Sequence, residues 1–407
     1  MITVGMTTIA AIQEALKLYY LPGLRYQLND RASAFLTQLE RDSESVVGKK
    51  IVMALRYGRV GGIGNRADDG DLPTPNARKT KQAEWETRNL FARFQITDKT
   101  IKAARSNVGA FANMLEQEIA DCEVDAKQDL SRQAMGDGTG KLAVIHAASY
   151  AGGVMTLTLY DLAGNDTEFA TNFLAEGMIV DIWDVSAGTV LANAQAKEIT
   201  LVNESTKQVQ YSGTDVSGTI QIDNDYLVVS GNQGLELTGV RGVFESATLY
   251  GLSRTTYPWL NATRINVNGE ISEVDIQKAI DDADRKAGAQ INFLLCSYGV
   301  RRAYQNLLTA QKQAVNTLEL KGGWTALSYN GMPLVAEKYI MPGKLYCLDL
   351  RDWKLYQMSD YEWLDEDGAM LSRVTGKAAW EATLAKYCDI GCSRPRGQVE
   401  LYGITEH

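Results

Sequence analysis

The sequence predicts an α+β fold of many strands and a few helices, on three observations. "SNVGAFANMLEQEIADCEVDAKQDLSRQAMGDG" carries one apolar stripe at helical spacing. Before it, two alternating strands flank the glycine-rich "GRVGGIGNRADDGDLPTP". After it, from Val154 to Phe244, short strands follow one another with no helical pattern between them.

The chain opens with two amphipathic patterns, "TIAAIQEALKLYY" and "LNDRASAFLTQLERD", separated by Pro22 and Gly23. In the second, Leu28, Ala32, Phe35, Leu36 and Leu39 recur at helical spacing, with Asn29 or Asp30 suited to the N-cap. Neither is long enough to be stable alone in water, so both are expected to lie as an arm over another surface. "KKIVMALRY" then places Ile51, Met53, Leu55 and Tyr57 on one face. "KQAEWETRNLFARFQIT" reads as the returning strand, with Ala92, Phe94 and Ile96 sharing a face. The connection from Gly58 to Lys79 has no apolar periodicity, and loops of that length inside compact domains are usually functional. A two-stranded ribbon with such a tip is marginal by itself, which predicts packing against a neighbouring molecule rather than its own core.

In the long helix, Phe111, Leu115, Ile119, Cys122, Ala126 and Leu130 form the stripe, with Ser106 at the N-cap and Gly136 at C′. Its roughly 28 residues span ~42 Å, the length of a small domain. "GVMTLTLYD", "GMIVDIWDV", "KEITLVNES", "QVQYSG" and "DYLVVS" predict a small β-barrel or sandwich inserted in a mixed fold. "SEVDIQKAIDDADRKAG" reads as a helix with Ser272 and Asp275 at capping-box spacing and Ile276, Ile280, Ala283 and Ala287 on one side. "INFLLCS" is a buried-type strand and "YGVRRAYQNLLTAQ" a second helix. "GMPLVAEKYIMPGKLYCLDL" reads as strand, Pro-Gly turn, strand, and "LSRVTGKAAWEATLAKYCDIG" and "GQVELYGI" are mainly strand.

Composition and motifs oppose most catalytic classes. The formal net charge of -9 argues against a sequence-independent grip on nucleic acid. The histidines are His146 and His407, so no H-E-x-x-H site exists, and no G-x-S-x-G accompanies His146. Cys122, Cys296, Cys347, Cys388 and Cys392 are odd in number and sit mostly in apolar patterns, which predicts reduced thiols; "CDIGC" has the wrong spacing for C-x-x-C chemistry. Gly62, Gly64 and Ala67 fit G-x-G-x-x-A, with Glu84 and Glu86 near the spacing of a ribose-binding acid. That motif needs a helix to begin inside it, which Gly70, Pro73 and Pro75 oppose, and Asp68, Asp69 and Asp71 would repel phosphate. "DNDY", "LDEDG" and "RADDGD" offer carboxylates to calcium, but none matches D-x-[DN]-x-[DN]-G, and acidic residues commonly form turns. No basic-then-apolar leader opens the chain and no apolar run approaches the ~20 residues of a membrane span, so a soluble protein made in the cytoplasm is expected. The expectation is no enzyme, no cofactor and no metal.

The order of arm, long two-stranded loop, spine-length helix closed by "GDGTG", helix–strand–helix module and late strands resembles the major capsid proteins of tailed bacteriophages, the Hong Kong 97 fold. The resemblance runs from "LNDRASAFLTQLERDSESVVGKK" to the C-terminus, and "AMGDGTG", "INFLLCSYGVRRAYQNLL" and "YNGMPLVAEKYIMPGKLYCLDL" are its most telling pieces. It implies an N-arm up to Val47, an extended loop from Gly48 to Thr97 and a peripheral domain with the spine helix over 98–153. A β-rich inserted domain over 154–245, an axial domain over 246–370 and peripheral strands over 371–407 complete the expected plan.

The resemblance further implies a homo-oligomer of pentamers and hexamers, self-assembled in the host cytoplasm into the icosahedral virion shell. Such a shell encloses DNA without specific binding and works with portal and decoration proteins. A chain beginning at Met1 close to the arm suggests a separate scaffolding protein. The loop tip, Arg59, Gly61, Gly62, Gly64, Arg66, Asp68, Asp69, Asp71, Arg78, Lys79 and Lys81, then reads as an adaptable intersubunit clasp. Gly58 and the other tip glycines would bend it through positive φ, Pro73 and Pro75 would stiffen the return, and the charges would set register. Some relatives weld subunits through a loop lysine and an asparagine; Lys49, Lys50, Lys79 and Lys81 are available, without a matched asparagine. An encapsulin-like compartment shell is the same-fold alternative. A metal-dependent carbohydrate-binding or hydrolytic protein built on the β-rich segment is the unrelated one.

Overall fold

The computed structural model describes residues 33–58, 60–68, 70–99, 108–310, 317–320, 324–364 and 372–407. The first N-terminal pattern lies outside them, as do Leu28, Asn29, Asp30 and Ala32 of the second. Helix α1 (Ala34–Gln38) is capped by Ser33 rather than by Asn29 or Asp30. Extended backbone at Ser33 lets its hydroxyl accept from the Phe35 N–H at 3.2 Å while donating to the buried Glu337 carboxylate at 2.7 Å. Phe35 is fully buried and meets Trp353 edge-on, with 5.6 Å between ring centroids.

Strands β1 (Glu40–Asp42), β2 (Val46–Val47), β3 (Lys50–Arg56), β4 (Thr80–Glu86) and β5 (Arg88–Thr97) follow. The expected single returning strand is thus two, divided at Thr87. β4 pairs with β3 in a three-stranded antiparallel ribbon with β2, whereas β5 belongs to another sheet. Helix α2 (Val108–Met135) lies against β5, with Ile119 and Leu130 buried and Cys122 and Ala126 half-buried on the same core. Ser106 and the Phe111 and Leu115 side chains lie outside the described residues. Gly136 follows α2 but is not left-handed; its N–H closes a tight turn onto the Gln133 carbonyl at 3.0 Å. The glycine that the helix end requires is Gly239, where an added Cβ would stand 2.5 Å from the Gln133 carbonyl oxygen and 2.6 Å from that of Ala134.

Strands β6 (Lys141–Ala151), β7 (Val154–Tyr160), β8 (Ile179–Asp184), β9 (Thr189–Val190), β10 (Lys197–Asn203), β11 (Gln208–Ser212) and β12 (Tyr226–Val229) form one antiparallel sheet. Because β8 also pairs with β10, six of these strands close into a barrel and β9 hangs from β8. Closure removes the free edges that a sheet of this size would otherwise expose. The alternation in β7 buries Met155, Leu157 and Leu159, and Val209, Tyr211 and Leu227 are buried with them.

Helix α3 (Val240–Glu245) and a small hairpin of β13 (Thr248–Leu249) and β14 (Leu252–Ser253) lead to a mixed seven-stranded sheet. Its strands are β15 (Thr263–Gly269), β16 (Phe293–Cys296), β17 (Thr317–Leu320), β18 (Trp324–Tyr329), β19 (Met332–Ala336), β20 (Leu345–Leu348) and, last in sequence, Val399–Ile404. Helices α4 (Glu273–Ala287) and α5 (Tyr298–Ala310) accompany it. The Ser272–Asp275 capping box forms as expected, and left-handed Gly288 ends α4. β16 is apolar at every position because both faces are covered. Phe293 and Leu295 join the main core, while Leu294 and Cys296 join a second core with Ile276, Ala283 and Tyr304.

The last sheet gathers β21 (Trp353–Gln357), β22 (Glu362–Trp363) and β23 (Ser372–Arg373) along one side of β24 (Ala379–Cys392), with β5 along the other and β1 beside β21. Val399–Ile404 is β25. "CDIGC" lies wholly inside β24, and all five cysteines are free thiols. Asp389, also on β24, is fully buried; one oxygen accepts the Thr238 and Ile390 N–H groups at 2.6 and 2.8 Å, and the other has no hydrogen-bond partner.

Two outcomes are expected from this packing. Gly239→Ala forces a methyl into the last carbonyls of α2 and should destabilise the fold by about 1–3 kcal/mol, read by chemical denaturation. Burial holds the Asp389 carboxyl up at about 6, against an ordinary value of 3.8. The folded chain therefore takes this proton more readily than the unfolded one. The group's contribution to stability is full below about pH 4 and is lost as pH rises through its folded value. Asp389→Asn should accordingly gain on the parent chain in melting temperature between pH 4 and pH 7; a gap that stays constant would contradict this.

Candidate intersubunit surface

The ribbon has an anchored stem and an exposed tip. In the stem, Ile51 stands opposite Trp85, Met53 opposite Ala83 and Leu55 opposite Lys81. Ile51, Met53, Leu55 and Ala83 are buried in the main core. Trp85 stacks on Tyr250 at 4.2 Å and meets Tyr356 edge-on at 5.7 Å. The stem therefore packs on the chain's own body, contrary to the sequence expectation, because its alternating stripe finds aromatic partners on distant segments. On the outer face, Lys49 pairs with Glu86 at 2.8 Å and Lys50 with Glu84 at 3.3 Å. Such exposed pairs set register more than they stabilise. At the neck, Tyr57 stacks on Trp259 with 5.2 Å between centroids and 9° between planes, and the Lys81 ammonium lies 5.5 Å from the Tyr257 ring centre.

Beyond the neck, no helix begins among the described residues of 58–79, so the dinucleotide motif lacks the element that would hold a pyrophosphate. The two legs run close together. An added Cβ would lie 2.6 Å from the Lys79 Cβ at Gly58 and 2.9 Å from the Asn76 Cβ at Gly61; at Gly62 it would sit 3.4 Å from the Pro75 Cα. None of Gly58, Gly61, Gly62 and Gly64 is left-handed. These glycines serve close approach of the legs, not the positive φ expected of them. A turn at Ala67–Gly70 closes the end, held by the Gly70 N–H on the Ala67 carbonyl at 3.0 Å and by Arg66 Nε donating to the Asp71 carbonyl at 2.9 Å.

Gly61, Gly62, Gly64, Arg66, Asp68, Asp71, Arg78 and Lys79 are exposed, and Lys81 is half-buried at the neck; Arg59 and Asp69 lie outside the described residues. Among the described residues no ion pair engages Asp68, Asp71, Arg78 or Lys79. Two large apolar side chains stand beside these charges, Ile63 at 64% exposure and Leu72 at 88%. Sequence reading passed over both because neither belongs to a periodic pattern. The neck residues Trp259 and Tyr257 were equally hidden, since only the fold brings them to Tyr57 and Lys81. The described residues of the tip are largely exposed, and their composition suits contact with another surface.

Elsewhere the described candidate groups have structural partners, while Asp365, Glu366 and Asp367 of "LDEDG" lie outside the described residues. His146 Nδ1 lies 2.7 Å from Asp223 and its Nε2 lies 3.0 Å from the Tyr160 hydroxyl. The Asp225 carboxylate accepts the Val185 and Gln221 N–H groups at 3.1 and 2.8 Å, the work of a turn former. Among the described residues no three His, Cys, Asp or Glu side chains converge to hold a metal ion, and no helix is long and apolar enough to cross a membrane.

The backbone matches a chain of the cyanophage A-1(L) capsid asymmetric unit with a TM-score of 0.52, over 95% of this chain and 93% of that chain, at 12% identity. The holo-SrpI encapsulin complex from Synechococcus elongatus matches at a TM-score of 0.43 (11% identity, 91% of this chain and 87% of that chain). The capsid of an empty GTA particle matches at 0.44 (10% identity, 92% and 90%). No family model and no curated protein matches the sequence. The fold is the α+β Hong Kong 97 type.

The neck is testable by a double-mutant cycle on Tyr57→Ala and Trp259→Ala. Stacking should appear as a coupling of about 0.5–1.5 kcal/mol. Either single change should also speed proteolysis within 58–79, and unchanged cleavage rates would contradict a neck that anchors the tip.

Proposed function

We propose that this chain is the major capsid protein of a tailed bacteriophage and assembles into the icosahedral head shell around the phage DNA. The observation that carries the reading is a fold shared with a cyanophage capsid chain over nearly the whole length of both. The ribbon supplies the contact: a stem locked to its own subunit projects Ile63, Leu72 and unpaired charges toward a neighbour. Identical subunits joined by such heterologous contacts close into rings of five or six, and each weak contact gains from the others through multivalency.

In this reading residues up to Val47 are the N-arm and Gly48–Thr97 the extended loop. The expected bounds, 98–153 and 371–407 for the peripheral domain, 154–245 for the inserted domain and 246–370 for the axial domain, shift where strands pair across them: β6 (Lys141–Ala151) belongs to the barrel, β21 and β22 join β24, and β25 joins the mixed sheet. Arg59, Gly61, Gly62, Gly64, Arg66, Asp68, Asp69, Asp71, Arg78, Lys79 and Lys81 form the clasp. Assembly takes place in the host cytoplasm with a separate scaffolding protein, a portal and decoration proteins, and requires no catalysis. A net charge of -9 suits a wall that confines a polyanion without binding it.

Negative-stain microscopy of the purified protein should show closed particles, and deletion of Gly61–Asp71 should abolish them while circular dichroism stays that of the parent. Normal shells from the deletion variant would eliminate the clasp, and a monomer at high concentration would eliminate the shell. Particles are expected to contain nucleic acid; a cargo enzyme in its place would assign the chain to a compartment shell.

A further inference from the structure

The segment "GDGTGK" after α2 plays no part in the ribbon, yet it curls around a small cavity of about 20 Å³ between α2, β6 and α3. Gly138 and Gly140 are both left-handed, at φ +83° and +81°. A Cβ on Gly140 would come 3.1 Å from the Asn232 carbonyl oxygen, so the curl needs glycine. The cavity is lined by five charged residues, Arg132, Asp137, Lys141, Glu236 and Arg241 among them.

Two of the three cations are matched. Arg132 forks onto Glu236, with Nη1 2.8 Å from Oε2. Arg241 pairs with Asp137, whose other oxygen accepts the Thr139 N–H and hydroxyl at 3.1 and 2.6 Å. Lys141 is different. Its ammonium donates to the Leu162 carbonyl at 3.2 Å and lies 5.3 Å from the Tyr226 ring centre, and among the described residues no carboxylate forms an ion pair with it. Burial, and then repulsion from Arg241, pull its pKa below the ordinary ammonium value despite Asp137 and Asp161. The Arg241 Nε is also buried without a hydrogen-bond partner, its nearest carboxylate being Glu245 at 3.7 Å. Within the lining itself three cations stand against two carboxylates, and the Asp129 carboxylate just outside it serves Arg132 at 2.6 Å rather than Lys141.

We propose that this cavity holds a single monatomic anion, chloride in cellular salt, seated between Lys141 and Arg241. Its volume admits about one water-sized sphere, which excludes phosphate and sulfate. The groups left over, an ammonium and a guanidinium N–H, are donors only, so an acceptor carrying negative charge satisfies both. An unmatched cation that is half-buried is costly, and the anion relieves that cost where the spine helix, the barrel and α3 meet. The site does not depend on shell formation.

Bromide soaked into crystals of the full chain should give anomalous density in the cavity beside Lys141 and Arg241. Melting in sodium chloride should exceed melting in sodium gluconate of equal ionic strength by about 1–3 °C, and Lys141→Met should abolish the difference. Density of water strength with no anomalous signal overturns the proposal, and so does an equal salt effect in parent and variant. Should Lys141→Met fail to fold, the bromide experiment on the parent chain decides alone.

Discussion

Every backbone polar group along a fourteen-residue strand must find a partner on each side, and β24 is where this chain meets that requirement at greatest length. β5 satisfies one edge from Ala379 to Cys388, while β21, β22 and β23 share the other. Segments nearly three hundred residues apart are thereby held in register. The ribbon inherits its position from this ladder, because β5 continues from β4 across the single residue Thr87. Gly391 completes the seat: a Cβ there would lie 2.6 Å from the Tyr356 ring and 3.0 Å from that of Trp85. The absence of a side chain lets the stem's tryptophan settle against the sheet.

Where α3 meets the mixed sheet, the contacts are charged as well as apolar. Lys344 pairs with Glu245 at 2.6 Å and with Glu400 at 2.9 Å, and Arg264 reaches the same two carboxylates. Glu400 is fully buried. Ion pairs so placed add little net stability compared with apolar packing, but a missing partner is severely penalised. They consequently tolerate one arrangement of α3 on the sheet.

Much of the fold was legible. The alternation of β3, the stripe of α2 from Ile119 onward and the Ser272–Asp275 box are local patterns whose meaning does not depend on the rest of the chain. The tip was legible as a long, charged, non-periodic loop, but its glycines were assigned the wrong physical task. Proximity to Lys79 and Asn76 cannot be read from spacing along one leg. The break at Thr87 was hidden because β4 and β5 share one alternating pattern while pairing with different partners. Gly239 was equally silent, since the carbonyls it must clear lie on a helix more than a hundred residues upstream.

By itself the sequence determined most of the helices and strands, that the chain is α+β, and that the loop between Gly58 and Lys79 lacks the helix a phosphate cradle needs. Those properties follow from side-chain periodicity, capping and the backbone limits of proline and glycine, all of which act within a few residues. Only the tertiary structure decided that β8 returns to β10 to close a barrel, that the ribbon stem rests on its own subunit and that Lys141 faces a cavity without a carboxylate of its own. Each of these is a pairing between residues far apart in sequence, and its energy exists only once the chain has brought them together.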